Sequence, residues 1–192
     1  MKKLLFFPLA ALAAFGQTSY DIDGAHSAAQ FSVTHMMVSK VRGSLGQVSG
    51  TAVFDPKNLA ASKVNATVDV AAINTGQPKR DGHLKSPDFF DVEKFPKLTF
   101  ESTKWWKEGD KVKVAGNLTL HGVTKPVVLD AEISNPLPGP NGSSRIGAQI
   151  TTKINRKDFG VNWSKSMDGG GVVVSDEVAV TLDIEATSKA TK

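Results

Sequence analysis

The 192-residue chain contains no cysteine. Without a thiol it has no disulfide framework, no cysteine nucleophile, no CxxC redox pair, no cysteine-bound zinc and no cysteine to carry a lipid anchor. Tyrosine occurs once and tryptophan three times, and no apolar run reaches the roughly 20 residues that a spanning helix needs. Concentrated charge is also missing. Beyond Lys2-Lys3 the lysines and arginines are scattered, with no basic run longer than a pair such as Lys79-Arg80, so there is no footprint for a nucleic acid. What is present is ordinary for one compact soluble domain: 40% hydrophobic residues, 22% charged residues and a formal net charge of +4.

The N-terminus has the order of a secretory signal: Lys2 and Lys3, a short apolar run from Leu4 to Phe15, and the small-residue pattern Ala14-Phe15-Gly16. Residues 1–16 are read as a signal peptide and residues 17–192 as a single exported domain. Its removal leaves 21 Lys and Arg against 19 Asp and Glu, so basicity says little about partners.

From Tyr20 onward apolar residues recur at every second position, the period of half-buried strands, and Gly, Pro, Asn or Asp bounds each run. The second half is clearest: Val112 to Leu120, Val127 to Ile133, Ile146 to Ile154 and Val178 to Ile184. The first half repeats it at Phe31-Val33-His35, Val41-Gly43-Leu45, Val48 to Phe54, Val64 to Val70 and Leu98-Phe100-Ser102. Parity changes between Leu45 and Val48, which predicts a bulge near Gly46. About eight strands with one dry face each form either a sandwich or a rolled antiparallel barrel. Glycines inside strands (Gly43, Gly50, Gly116, Gly147) favour the barrel, because a closing sheet must turn corners. Asn74 to Pro96 breaks the pattern and predicts a binding loop with one or two helical turns around residues 78–91. Asn135 to Ser144 reads as a solvent loop and Ala186 to Lys192 as a frayed end.

Catalytic patterns are thin. His26, His35, His83 and His121 form no HExxH or other i,i+4 pair, GxSxG is absent, and Gly169-Gly170-Gly171 lacks a phosphate-loop pattern. The acidic pairs Asp88/Asp91 and Asp176/Glu177 read as solvated turn residues rather than glycosidase carboxyls. No metal or cofactor is expected. The aromatic residues Phe31, Phe54, Phe100, Phe159 and Trp163, with Phe89 and Phe90 in the loop, fall on the apolar face. An eight-stranded barrel either fills its interior or holds one ligand. Small inward residues (Ala52, Ala66, Gly116, Ala131, Ala148) leave volume open and favour a cavity.

Four blocks, in order, resemble the YceI-like family of exported lipid-binding proteins. They are Tyr20-Asp21-Ile22-Asp23 with His26-Ser27 and Phe31 to Met36; Arg80-Asp81-Gly82-His83-Leu84-Lys85-Ser86 running to Phe100; Gly116 to Val127; and Ile154 to Val161. The resemblance covers Tyr20 to about Glu185. It implies an all-β, extended lipocalin-like antiparallel barrel in the periplasm whose pocket takes an isoprenoid chain, such as a polyprenyl quinone or polyprenyl phosphate, or a fatty lipid, without chemistry of its own. On that reading Phe31, Val33, Phe54, Val68, Phe100, Leu118 and Phe159 line the pocket. Phe89 and Trp163 join them, and Arg80, His83 and Arg156 meet the head group, with His35 as a buried polar group. The alternative for Arg80 is a salt bridge to Asp81 or Asp88. Such a carrier would touch membranes or membrane proteins transiently, and a homodimer is compatible with the sequence. Leu45 stands where the family usually has an aromatic, and Trp105-Trp106 is an unusual pair; both would reshape the pocket. Two rival readings remain at this point: an enzyme using the histidines, and a solidly filled barrel that binds a protein partner.

Overall fold

The computed structural model describes residues 18–168 and 170–189; the expected signal peptide lies outside them. Among the described residues eleven strands and one α-helix follow in chain order: β1 (Thr18–Ile22), β2 (Ala28–His35), β3 (Ser39–Gly46), β4 (Val48–Phe54), β5 (Lys63–Asp69), α1 (Pro78–Lys85), β6 (Lys97–Glu108), β7 (Lys111–Leu120), β8 (Val123–Ile133), β9 (Leu137–Pro138), β10 (Ser144–Asn155) and β11 (Val174–Ser188). Strands β1, β4, β5, β6, β7, β8, β10 and β11 close into an antiparallel ring, because β11 pairs with both β1 and β10. The expected eight-stranded barrel is therefore the fold.

The barrel is extended at one end by the β2–β3 hairpin. β11 is long enough for two partners on one edge: Val174 to Asp183 face β2, and Ala186 to Ser188 face β1. The bulge foreseen near Gly46 joins these halves. Ala29 pairs with Gly46 and Gln30 with Ser44, so Leu45 is the inserted residue. Gly46 sits at φ +126, and a Cβ there would collide with the carbonyl oxygen of Asp69. Only glycine fits that corner, and both Leu45 and Val48 stay inward across it.

A second bulge has no glycine to announce it. Ser102 pairs with Gly116 and Lys104 with Ala115, which leaves Thr103 extra. The insertion flips parity, so Trp105 turns inward although Phe100 and Ser102 set the opposite phase. Trp105 forms the floor of the barrel with Tyr20, Phe54, Val114, Ala131, Ile146 and Ala186. Its indole lies 6.3 Å from the Phe54 ring. Towards the other end the core is built from Phe31, Leu45, Val48, Leu98, Leu120 and neighbours.

Two expectations about irregular chain are corrected. Leu137–Pro138 pair with Arg145 and Ser144, so the stretch 135–144 is partly tied to the sheet. Ala186 to Ser188 are not frayed: they complete β11 against β1, where Ala186 is buried. The hydroxyls of Ser144 and Ser188 and the Tyr20 phenol meet there at 3.1 Å, giving three polar groups partners in a region that apolar periodicity does not mark.

Candidate functional site

The inward faces enclose a cavity of about 390 Å³. The barrel is not filled solid. β10 alone supplies Ile146, Ala148, Ile150, Thr152 and Ile154 to its wall, which at roughly 3.3 Å per residue amounts to about 26 Å of strand. A strand tilt of about 40° turns that into an axial depth of about 20 Å. The facing wall is equally apolar, with Val178, Val180, Leu182 and Ile184 from β11. Gly116 lies directly beneath the Phe100 ring, where a Cβ would clash with it. Trp105 closes the deep end.

The other end is shaped by the 74–96 segment. Helix α1 begins at Pro78, whose fixed φ suits a first turn, and the Gln77 side chain caps it by accepting from Arg80 N–H at 3.0 Å. Thr75 anchors the helix from outside. Arg80 Nε donates to Thr75 Oγ1 at 2.7 Å and a terminal nitrogen donates to the Thr75 carbonyl at 3.0 Å. The Thr75 hydroxyl and backbone N–H both donate to Asp81 Oδ1, and this holds the Asp81 carboxyl below its usual range. Thr75 therefore does the pinning that an Arg80 salt bridge to Asp81 or Asp88 was the alternative for. Arg80 keeps three of its five N–H donors for other partners, and it borders the cavity.

Beside it, His83 Nε2 meets Asp88 Oδ2 at 2.8 Å. The His83 ring stands edge-on to Phe89 at 5.0 Å and to Trp163 at 5.2 Å, with Phe89 and Trp163 5.2 Å apart. Three rings from the helix, the following turn and the 160–173 segment thus make one collar, since all three line the cavity. His35, at the end of β2, is half-buried and faces the same space.

Of the thirteen residues expected at the site, twelve line this cavity: Phe31, Val33, His35, Phe54, Val68, Arg80, His83, Phe89, Phe100, Leu118, Arg156 and Trp163. Phe159 does not. Asn155 ends β10 and caps a short 3-10 turn through its side chain, so Phe159 leaves the two-residue alternation of the strand. It is buried in the core behind lining residues such as Leu98 and Leu120. Arg156 lines the wall but has nothing to offer a head group. Its Nε donates to the Ser175 carbonyl, one terminal nitrogen to Val161 and Trp163, and the other to Val174 and to Asp176 Oδ1. All five donors are used. Burial pulls its guanidinium below the usual value, against the Asp176 charge. Residues that sequence reasoning did not assign to the site include Trp105, Leu84 and Phe90.

The indole N–H of Trp105 is buried without a hydrogen-bond partner. Such a donor costs about 1–3 kcal/mol relative to a satisfied one. Trp105→Phe removes it while keeping an aromatic floor, so thermal unfolding should show a stability within about 1 kcal/mol of the parent, or a gain. A loss above about 2 kcal/mol would mean that the ring packing outweighs the relieved N–H.

Of the four histidines, His35 and His83 line the cavity and His26 and His121 do not. Among the described residues one trio of metal-capable groups comes together, Asp23, His26 and Glu185, within 4.8 Å. It lies on the outer face, since Glu185 alternates with the inward Ile184 and Ala186, and Arg145 Nε sits 3.1 Å from its carboxylate. His26 Nδ1 and Asp23 Oδ2 are 2.8 Å apart. That hydrogen bond raises the His26 imidazole above its usual value and lowers the Asp23 carboxyl. The raised histidine adds stability that is complete below the unfolded value of about 6.5 and is lost as pH rises through the folded one. The lowered aspartate adds stability above its unfolded value, lost on acidification through the folded one. A proton NMR titration of His26 should therefore give a midpoint above that of an unstructured histidine, and Asp23→Asn should bring it down. An unshifted parent would show the pair to be open in solution.

Comparison with known proteins agrees with this architecture. Residues 20–186 match the YceI-like domain. The chain belongs to the YceI-like family. It is 38% identical over 194 residues to Protein YceI of Salmonella newport, covering 98% of each chain. The crystal structure of the Campylobacter jejuni YceI protein superposes with a TM-score of 0.69 at 30% identity, over 98% of this chain and 99% of that one. A polyisoprenoid binding domain from Saccharophagus degradans shares the fold, with a TM-score of 0.65 at 17% identity over 90% of this chain and 100% of that one. The four sequence blocks named above map onto the YceI-like barrel as β1 with β2, helix α1 with the start of β6, the β7–β8 hairpin, and the end of β10 with the Arg156 turn.

Proposed function

We propose that this YceI-like protein is a non-catalytic periplasmic carrier that holds one long-chain isoprenoid, a polyprenyl quinone or polyprenyl phosphate, or a related lipid, in its barrel. The observation that carries the reading is the cavity itself, about 390 Å³ and walled almost wholly by aliphatic and aromatic side chains. The name of the Saccharophagus degradans domain, a polyisoprenoid binder of the same fold, supports the ligand class. The signal-like N-terminus supports export.

The energetics suit an apolar chain. Burying about 12 methylene-sized groups at roughly 0.8 kcal/mol each gives about 10 kcal/mol. Association costs about 4 kcal/mol or more, which leaves at most about 6 kcal/mol, an affinity of tens of micromolar that tightens as tails lengthen. Arg80 and His83 at the collar supply polar groups for the head, and the ring trio gives it an aromatic wall. An enzyme would need convergent acid, base or metal ligands inside; at this end His83 is already engaged by Asp88 and Arg80 by Thr75, with His35 the other histidine on the wall.

The test is native mass spectrometry of the mature protein exported with its own signal and purified from the periplasm, followed by organic extraction. A discrete isoprenoid or fatty compound near one per chain is the expected result. A clean apo mass that persists after incubation with quinones and polyprenyl phosphates would overturn the carrier reading.

A further inference from the structure

The β2–β3 turn carries side chains that the fold does not need. Met36, Met37 and Val38 are 46%, 68% and 86% exposed. They are three consecutive residues among the few large apolar ones that stand out in water. Their backbone is also unsuited to them. Met36 and Met37 adopt φ +48 and +60, the left-handed region that Asn or Gly occupies at less cost. Neither burial nor turn chemistry accounts for apolar side chains here.

Their position is specific. The turn closes through Val38 N–H to the His35 carbonyl at 3.1 Å and Met36 N–H to the Val173 carbonyl at 2.8 Å, and both His35 and Val173 line the cavity. Met37 Sδ and Met167 Cε reach the same point beside Gly171. Met37 and Met167 thus meet at one rim, with Met36 beside Met37 in the chain, giving a flexible, polarizable apolar ridge continuous with the mouth.

The charge behind the ridge is mostly positive. From Gly24 to Phe54 there is no carboxylate. Lys40 and Arg42 follow the tip on β3, both exposed and, among the described residues, in no ion pair. Lys165 adds a third cation, its carbonyl bonded to Val173 N–H; Asp168 is the one acid of that segment. An apolar tip of three side chains backed by cations is complementary to an anionic bilayer, whose acyl boundary takes the tip while its head groups meet the lysines and arginine.

We infer that the Met36–Val38 turn is a membrane-docking tip that seats the cavity mouth on an anionic lipid surface, so that cargo passes between bilayer and barrel along the Met37–Met167 ridge. The inference rests on the carrier reading for its purpose, although docking itself can be measured without cargo.

The experiment is co-sedimentation of the mature apo protein with vesicles of phosphatidylcholine containing 30% phosphatidylglycerol, and with pure phosphatidylcholine. The parent should partition onto the anionic vesicles, and Met36→Ser/Met37→Ser/Val38→Ser should weaken this at least about tenfold. Lys40→Ser/Arg42→Ser should weaken it about fivefold per cation removed and flatten its salt dependence. Uptake of detergent-solubilised polyprenyl phosphate should be unchanged in every variant, while extraction from vesicles slows. Unchanged vesicle binding by the triple variant overturns the inference, as does a parent that ignores vesicles but forms a dimer lost on the same substitutions. Vesicle binding that depends on the tip, in a parent that takes up no solubilised lipid, leaves docking standing and fails the carrier reading alone.

Discussion

Leu118→Trp should abolish lipid uptake while leaving a folded barrel. Leu118 sits two residues before the end of β7, opposite Phe100 on β6, and both face the cavity. An indole there projects into space that no protein atom fills, so the overpacking cost of about 1–3 kcal/mol for a close-packed core is an upper limit. What the substitution removes is depth. A tail stopped at Leu118 loses about half of the 12 methylenes taken above, or roughly 5 kcal/mol at 0.8 each, which is more than a thousandfold in affinity. Val68→Trp, from the neighbouring wall on β5, should do the same because Val68 also lines the cavity. Circular dichroism and thermal unfolding establish that the variants fold; titration with a polyprenyl phosphate or a long-chain fatty acid reads the loss. Folded variants that take up lipid with the parent's affinity would show that the ligand does not reach the barrel interior.

The barrel wall was legible because its two faces meet different solvents. Where one side of a strand is dry, as along Ile146 to Ile154 and Val178 to Ile184, alternation in the sequence is alternation in space, and each of those residues faces the cavity. The Gly46 corner was legible for a second reason: a parity break beside a glycine is what a bulge leaves behind. Thr103 shows the limit. The same insertion occurs there without a glycine, so nothing marked Trp105 as the floor, and the pair Trp105-Trp106 stood out only as an unusual feature that would reshape the pocket. Phe159 fails in the opposite way. It looked inward because aromatic residues on an apolar face are counted as lining, but a 3-10 turn capped by Asn155 had already ended the strand. The head-group residues depended on hydrogen bonds between distant segments. Arg80 and Arg156 are alike in sequence, yet one is anchored by two bonds to Thr75 and the other spends every donor on the chain.

That difference makes Arg156 the place where stability and binding separate. Its side chain, with the whole residue only 4% exposed, ties the 3-10 turn after β10 to the 161–163 stretch and to the start of β11. The acceptors are four carbonyls and Asp176, which also receives Lys157 Nζ at 2.9 Å. A buried charge of this kind contributes through geometry, since desolvation offsets much of its attraction. Removing it leaves the carbonyls of Ser175, Val161, Trp163 and Val174 short of a donor. Arg156→Met, which keeps the apolar stem, should therefore cost about 3–5 kcal/mol, a fall of roughly 10 °C in Tm for a domain of this size. Arg156→Lys should recover little, because one ammonium cannot span acceptors arranged around a planar fork. Lipid affinity of the fraction that folds at low temperature should stay within about threefold of the parent, since five donors satisfied by the chain leave none for a head group. Arg80→Met should do the reverse, sparing Tm and weakening anionic head groups relative to neutral ones. If Arg156→Met instead spared Tm and abolished head-group preference, the guanidinium would have to leave these carbonyls when ligand binds, and the collar at Arg80 and His83 would not be where the head group rests.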